Sequence, residues 1–96
     1  MNAQKHMALV AMLGCIVCLK LGKGKTPAHV HHILKSGKRI DDYNVLPLCP
    51  GHHNAGLNNE DIVSRHPWKR EFESRYGTEQ ELLTLTLEEL DRVRCE

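Results

Sequence analysis

Two short ligand pairs constrain this chain more than anything else in it: Cys15-Ile16-Val17-Cys18 and Cys49-Pro50-Gly51-His52. A Cys-x-x-Cys followed by a Cys-x-x-His has ordinary spacing for a tetrahedral Cys₃His zinc site. Such a site would tie the segment before the central histidines to the segment after them. The chain needs a tie of this kind. It has 96 residues, and Tyr43, Trp68, Phe72 and Tyr76 are its only aromatic residues, so one small domain over 1–96 has a thin core and benefits from a staple. A redox reading of Cys15 and Cys18 would need a thioredoxin-like strand–helix context and would leave Cys49 unexplained.

Between and around the pairs, residues 28–56 hold five of the seven histidines. Ala28 to Ile33 carries β-branched Val30 and Ile33 and reads as a short strand. Ser36-Gly37-Lys38 supplies a turn, and Tyr43 to Leu48 reads as the returning strand. Pro50 suits the first position of a helix, where its missing N–H costs nothing. The expected class is α+β: a β-hairpin followed by a helix, with flanking N- and C-terminal helices. On a strand, His31 and His32 point to opposite faces; on a helix, His52 and His53 diverge by roughly 100°. With His52 at the zinc, His31, His32 and His53 remain for a second centre. His29 shares a strand face with His31 and reads as a supporting residue.

His31-His32-Ile33, Asn44 and Leu48-Cys49-x-x-His52-His53 together resemble the HNH endonuclease pattern, whose ββα-metal core carries a His-Asn-His signature. In relatives with a structural zinc, a second downstream cysteine stands where this chain has His52. A wider frame is similar to the phage-type recombination-enhancement, RecA-dependent nucleases: His6-Met7-Ala8, Leu13-Gly14-Cys15, Pro47-Leu48-Cys49, His66, Phe72 and Tyr76-Gly77-Thr78. The HNH resemblance covers about residues 13–58 and implies a metal-dependent nuclease acting on DNA. It makes His32 the general base and gives Asn44 the task of pinning the hairpin loop. A catalytic Mg²⁺ or Mn²⁺ would sit on His31 and His53, beside structural Zn²⁺ on Cys15, Cys18, Cys49 and His52. The resemblance also implies a RecA-type recombinase filament as partner and the cytoplasm of a phage's bacterial host as the setting. One departure stands out. A last ligand expected one helical turn beyond His53 falls on Leu57, so either His66 folds back to the ion or the ion keeps two protein ligands and several waters. A non-catalytic zinc module docking on DNA or protein is the rival reading. It accounts for the zinc ligands but not for His31, His32, Asn44 and His53.

Charge supports a nucleic-acid partner through its distribution, since the net value is only +1. Residues 1–40 hold seven Lys or Arg and no Asp or Glu, as a phosphate backbone would select. Lys35, Lys38 and Arg39 flank the turn where DNA would pass, and 19–27 reads as a basic, flexible loop. Residues 5–13 suit a helix stopped by Gly14, with His6 a partly exposed helix histidine. The apolar run to Leu19 lacks a small-x-small cleavage site and is too short to span a bilayer. A cytoplasmic chain with reduced thiols follows. Residues 67–76 read as a helix with Trp68, Phe72 and Tyr76 on one core-facing stripe. Thr78-Glu79-Gln80-Glu81 is a capping box opening one helix or two before Arg94. Cys95 is a spare thiol.

Overall fold

The computed structural model describes residues 2–39 and 41–94. Helix α1 (Ala3–Leu13) begins where the Asn2 side chain accepts from the Lys5 N–H (2.8 Å) and ends at Gly14, whose φ of 82° turns the chain away. That turn is tight: a Cβ at position 14 would come within 2.9 Å of the Thr26 carbonyl. Helix α2 (Ile16–Lys20) follows directly, with the Cys15 sulfur accepting from the Cys18 N–H. Part of the expected basic loop is therefore helical. The remainder, 21–27, is largely exposed.

Strands β1 (His29–His32) and β4 (Val45–Leu48) pair antiparallel, with His29 opposite Leu48, Val30 opposite Pro47, His31 opposite Leu46 and His32 opposite Val45. Residues directly opposite share a face of the sheet, so this register sorts the histidines. Leu46 and Leu48 lie in the larger core cluster with Ile16, Val17, Val63, Phe72, Tyr76 and Leu82. Val45 lies in a smaller cluster with Val10 of α1 and Leu90. The hairpin is thus covered on both sides, which is why β4 is buried along its whole length. Pro47 is tolerated because a two-stranded sheet leaves one edge of β4 without a ladder partner.

Beyond the pair, β2 (Leu34–Lys35) and β3 (Lys38–Arg39) form an exposed ribbon. Its two turn residues, Ser36 and Gly37, both take positive φ (53° and 79°), as a two-residue hairpin turn requires. Helix α3 (Pro50–His53) starts at Pro50, as expected. The chain then loops out and returns beside α3: Arg65 N–H donates to the His52 carbonyl and His66 N–H to the His53 carbonyl, both at 2.8 Å. Ser64 Oγ–H donates to the Gly51 carbonyl (2.6 Å), fixing the same return.

Helix α4 spans Lys69–Tyr76 and buries Phe72 and Tyr76. Trp68 departs from the expected stripe. It precedes the helix, is 37 % exposed, and its indole N–H donates to the Gly56 carbonyl (3.2 Å). Helix α5 (Glu79–Arg94) is continuous. Thr78 and Glu81 form the expected capping box, with Thr78 N–H on Glu81 Oε1 (2.9 Å) and Glu81 N–H on Thr78 Oγ1 (3.1 Å). Thr84 and Thr86 do not start a second helix, because their hydroxyls donate back to the Gln80 and Leu82 carbonyls, a mid-helix habit of threonine. Among the described residues, no helix is long and apolar enough to cross a membrane.

Candidate metal and catalytic site

Cys15, Cys18, Cys49 and His52 converge at the centre of the larger core cluster. His52 Nδ1 stands 3.6, 3.7 and 3.1 Å from the sulfurs of Cys15, Cys18 and Cys49, and the Cys18 and Cys49 sulfurs are 3.9 Å apart. A tetrahedral zinc with Zn–S of ~2.3 Å and Zn–N of ~2.0 Å needs edges of roughly 3.5–3.8 Å. The set can therefore hold zinc. Burial pushes the Cys15 thiol up to about 12, and burial, then Lys23, brings His52 down to about 4. His52 is thus a neutral donor at neutral pH, while the thiols must lose protons as a metal enters. With Nδ1 facing the sulfurs, the ring proton belongs on Nε2, which has no hydrogen-bond partner. The ring stands at 87° to that of Tyr76, an arrangement in which an N–H can rest on an aromatic face.

A second group, His31, His53 and His66, has ligand atoms all within 4.8 Å of one another. Their ring centroids lie 5.2 to 5.4 Å apart. The return strand through Arg65 and His66 brings the third ring in; Leu57, where a last ligand was expected, is exposed. Burial, followed by the neighbouring histidines His31, His66 and His29 and by Arg65, lowers His53 to about 4. Burial and Arg65 lower His66 too. Both rings are held neutral, as ligation requires. His53 Nδ1 is buried without a hydrogen-bond partner, which suits a metal ligand. His66 carries a conflict. Arg65 Nη1 lies 3.3 Å from its Nδ1, and guanidinium can only donate, so the ring proton falls on Nε2. Ligation through either nitrogen requires that contact to be given up. His29 is exposed, edge-on to His53 at 5.8 Å, and outside the group.

His32 faces the other way. Its Nε2 is 2.9 Å from Asp42 Oδ1. The loop bearing Asp42 is held by Asp41, whose Oδ1 accepts from the Tyr43 and Asn44 backbone N–H groups and from Asn44 Nδ2 (2.7, 2.9 and 2.9 Å). Those bonds hold the Asp41 carboxyl below its usual range. Asn44 also accepts through its backbone carbonyl from Ile33 N–H (2.9 Å), next to His32. Its amide therefore meets the loop, and the loop meets the histidine.

Two residues escaped the sequence reading. Asp42 has no periodic signal, although an acid ten positions after a histidine across a hairpin is within pairing reach. Glu79 falls inside the Thr78–Glu81 capping box by spacing, with no local mark of a second role. It is instead buried against His31 Nε2 (2.5 Å) and Arg65 Nε (2.9 Å), with Lys69 at 3.7 Å. Burial raises its carboxyl, but the His31 and Arg65 hydrogen bonds and charges win and hold it at about 2. His6 also differs from expectation. It is 7 % exposed, with its ring 5.1 Å from that of Tyr43, because α1 packs on the hairpin rather than standing clear of it. Lys35, Lys38 and Arg39 are exposed on the distal ribbon. Cys95 lies outside the described residues.

Fold and site define a small α+β protein in which the described residues include a Cys₃His group able to hold zinc and a three-histidine cluster. Over residues 2–91 the chain matches the family described as recombination enhancement, RecA-dependent nuclease, and it belongs to that family. That membership puts it among nucleases, which are phosphodiester hydrolases with a role in RecA-dependent recombination. No curated protein matches the chain.

Proposed function

We propose that the chain is an HNH endonuclease, one nuclease domain over residues 1–96, that hydrolyses DNA phosphodiester bonds in a metal-dependent reaction during recombination. The observation that carries this reading is the division of β1. His31 turns into the cluster with His53 and His66, and the adjacent His32 turns to Asp42 on the opposite face. A ligand and a base on neighbouring residues need that division.

His31 and His53 would hold the catalytic divalent ion, with His66 joining once it releases Arg65. When bound, such an ion offsets the charge that develops on the phosphate and on the leaving 3′-oxygen. Imidazole donors favour a transition ion such as Mn²⁺ over Mg²⁺, which would keep most of its waters. His32 supplies the base. Asp42 Oδ1 accepts the Nε2 proton, so Nδ1 keeps the lone pair that takes a proton from the attacking water. Asn44 and Asp41 hold the loop that presents Asp42. Cys15, Cys18, Cys49 and His52 would carry structural zinc, and Lys35, Lys38 and Arg39 would meet DNA phosphates without reading sequence.

The test is plasmid nicking by the zinc-loaded protein, with and without a RecA-type filament, in Mn²⁺, in Mg²⁺ and after EDTA. Cleavage that depends on added ion supports the reading. Absence of cleavage in every condition, with DNA binding retained, would leave a zinc-bearing docking module.

A further inference from the structure

Glu79 opens α5, far in sequence from the hairpin, yet the residue is only 4 % exposed and its carboxylate is fixed from several sides. Oε2 accepts from His31 Nε2–H (2.5 Å) and from Arg65 Nε–H (2.9 Å), and Oε1 faces Lys69 Nζ at 3.7 Å. The Glu79 backbone N–H donates to Glu73 Oε2 (2.9 Å), anchoring the residue to α4 as well. Hydrogen bonds from His31 and Arg65, with the Arg65 charge beside them, keep the carboxylate ionised in its buried position, where an unpaired charge would be costly.

A carboxylate can meet an imidazole in two ways, sharing an ion or sharing a proton. Two ligands of one ion, each ~2.0–2.2 Å from it, stand roughly 3 Å or more apart. At 2.5 Å the His31–Glu79 contact is too close for an ion between the two atoms and has room for a proton only. An ionised carboxylate has no hydrogen to give, so the hydrogen is on His31 Nε2, and in the neutral form that ligation requires the lone pair is then on Nδ1.

We infer that Glu79 is a positioning residue of the divalent-ion site: by accepting a hydrogen bond from Nε2–H it fixes the His31 tautomer in which Nδ1 alone can ligate. The inference rests on the proposed reading of His31 as an ion ligand. It makes α5 part of the site, because the base of that helix supplies the group that aims a ligand on β1. Carboxylate partners of this kind also raise the basicity of the ligating ring, and their loss commonly weakens metal binding by about 10–100-fold.

The experiment uses the full chain with its Cys₃His group zinc-loaded. Imidazole ¹⁵N shifts report the His31 tautomer before any second ion is added, and Mn²⁺ titration followed by electron paramagnetic resonance reports affinity. The parent should show His31 with its proton on Nε2. Glu79→Ala should lose that preference and bind Mn²⁺ about 10–100-fold more weakly. Glu79→Gln, whose amide oxygen still accepts, should recover most of the affinity. Zinc content and Tm show that each variant is folded. A parent His31 protonated on Nδ1 would overturn the inference, as would Glu79→Ala binding Mn²⁺ like the parent. Glu79→Gln binding as weakly as Glu79→Ala would also overturn it, since the carboxylate would then be a direct ligand. A parent that binds no Mn²⁺ would bring down the ion-site reading of His31 itself, and the inference with it.

Discussion

Replacing Cys15 by serine removes one of the four candidate zinc ligands from within the core. Cys15 is fully buried, and its sulfur lies 3.6 Å from His52 Nδ1, against Ile16, Val17, Leu46 and Leu48 in the same cluster. Structural zinc binds zinc-finger peptides with ~10–16 kcal/mol at pH 7. That is as large as the whole stability expected for 96 residues, ~5–14 kcal/mol at ~0.05–0.15 per residue. If the lost ligand carries only a quarter to a third of the zinc term, the chain loses on the order of 3 kcal/mol. At ~4–8 °C per kcal/mol for a domain of this size, Tm should fall by roughly 12–24 °C. The assay is thermal unfolding at fixed protein concentration, paired with zinc stoichiometry by mass spectrometry. The parent should carry one tightly held zinc and lose stability to a strong chelator. A Cys15→Ser variant that melts within about 2 °C of the parent, a shift worth well under 1 kcal/mol, would mean that no structural zinc holds the fold through Cys15.

Three further outcomes follow from the same structure. Replacing Lys35, Lys38 and Arg39 together by alanine should weaken DNA binding alike across sequences and reduce the salt slope by about 2.7, at ~0.9 per phosphate contact; an unchanged slope would place the DNA elsewhere. Phe72→Ala should destabilise by ~3–5 kcal/mol in urea unfolding, whereas Trp68→Ala should cost well under half of that, since Trp68 is more than a third exposed. Glu79 is held at about 2 in the folded protein against an ordinary 4.5. A depressed carboxyl adds stability above the unfolded value and loses it as pH falls through the folded one. The stability gap between the parent and Glu79→Gln should therefore be full above pH 4.5 and shrink towards pH 2, measured by unfolding across that range.

What was legible in the sequence was what depends on local spacing. Cys15, Cys18, Cys49 and His52 form two short-range pairs, and i to i+3 spacing nearly fixes how each pair's candidate ligand atoms converge. The opposite directions of His31 and His32 follow from the two-residue period of a strand. The turn at Ser36-Gly37 and the start of α3 at Pro50 rest on backbone preferences of single residues. What was not legible depends on how distant segments return. His66 reaches His53 only because residues 54–64 loop back and bond to α3 through Arg65 and His66. Glu79 satisfied a local rule, the helix-opening box, so nothing local marked its side chain for the site. Trp68 fits a helical stripe by spacing, but the helix begins one residue later and the indole turns to Gly56. His6 is buried because α1 lies on the hairpin and its loop, a placement that no periodicity in α1 encodes.

The proposed division of labour on β1 predicts different behaviour for His32→Ala and His31→Ala in DNA cleavage across a range of Mn²⁺ concentrations. His32→Ala should lose cleavage by a factor on the order of 10² to 10⁴, with zinc content, fold and DNA affinity retained and no recovery as Mn²⁺ rises. His31→Ala should also lose cleavage but regain part of it at high Mn²⁺, because a missing ligand weakens ion binding and a missing base does not. His32→Ala cleaving as fast as the parent, or recovering with added Mn²⁺ as His31→Ala does, would contradict the account.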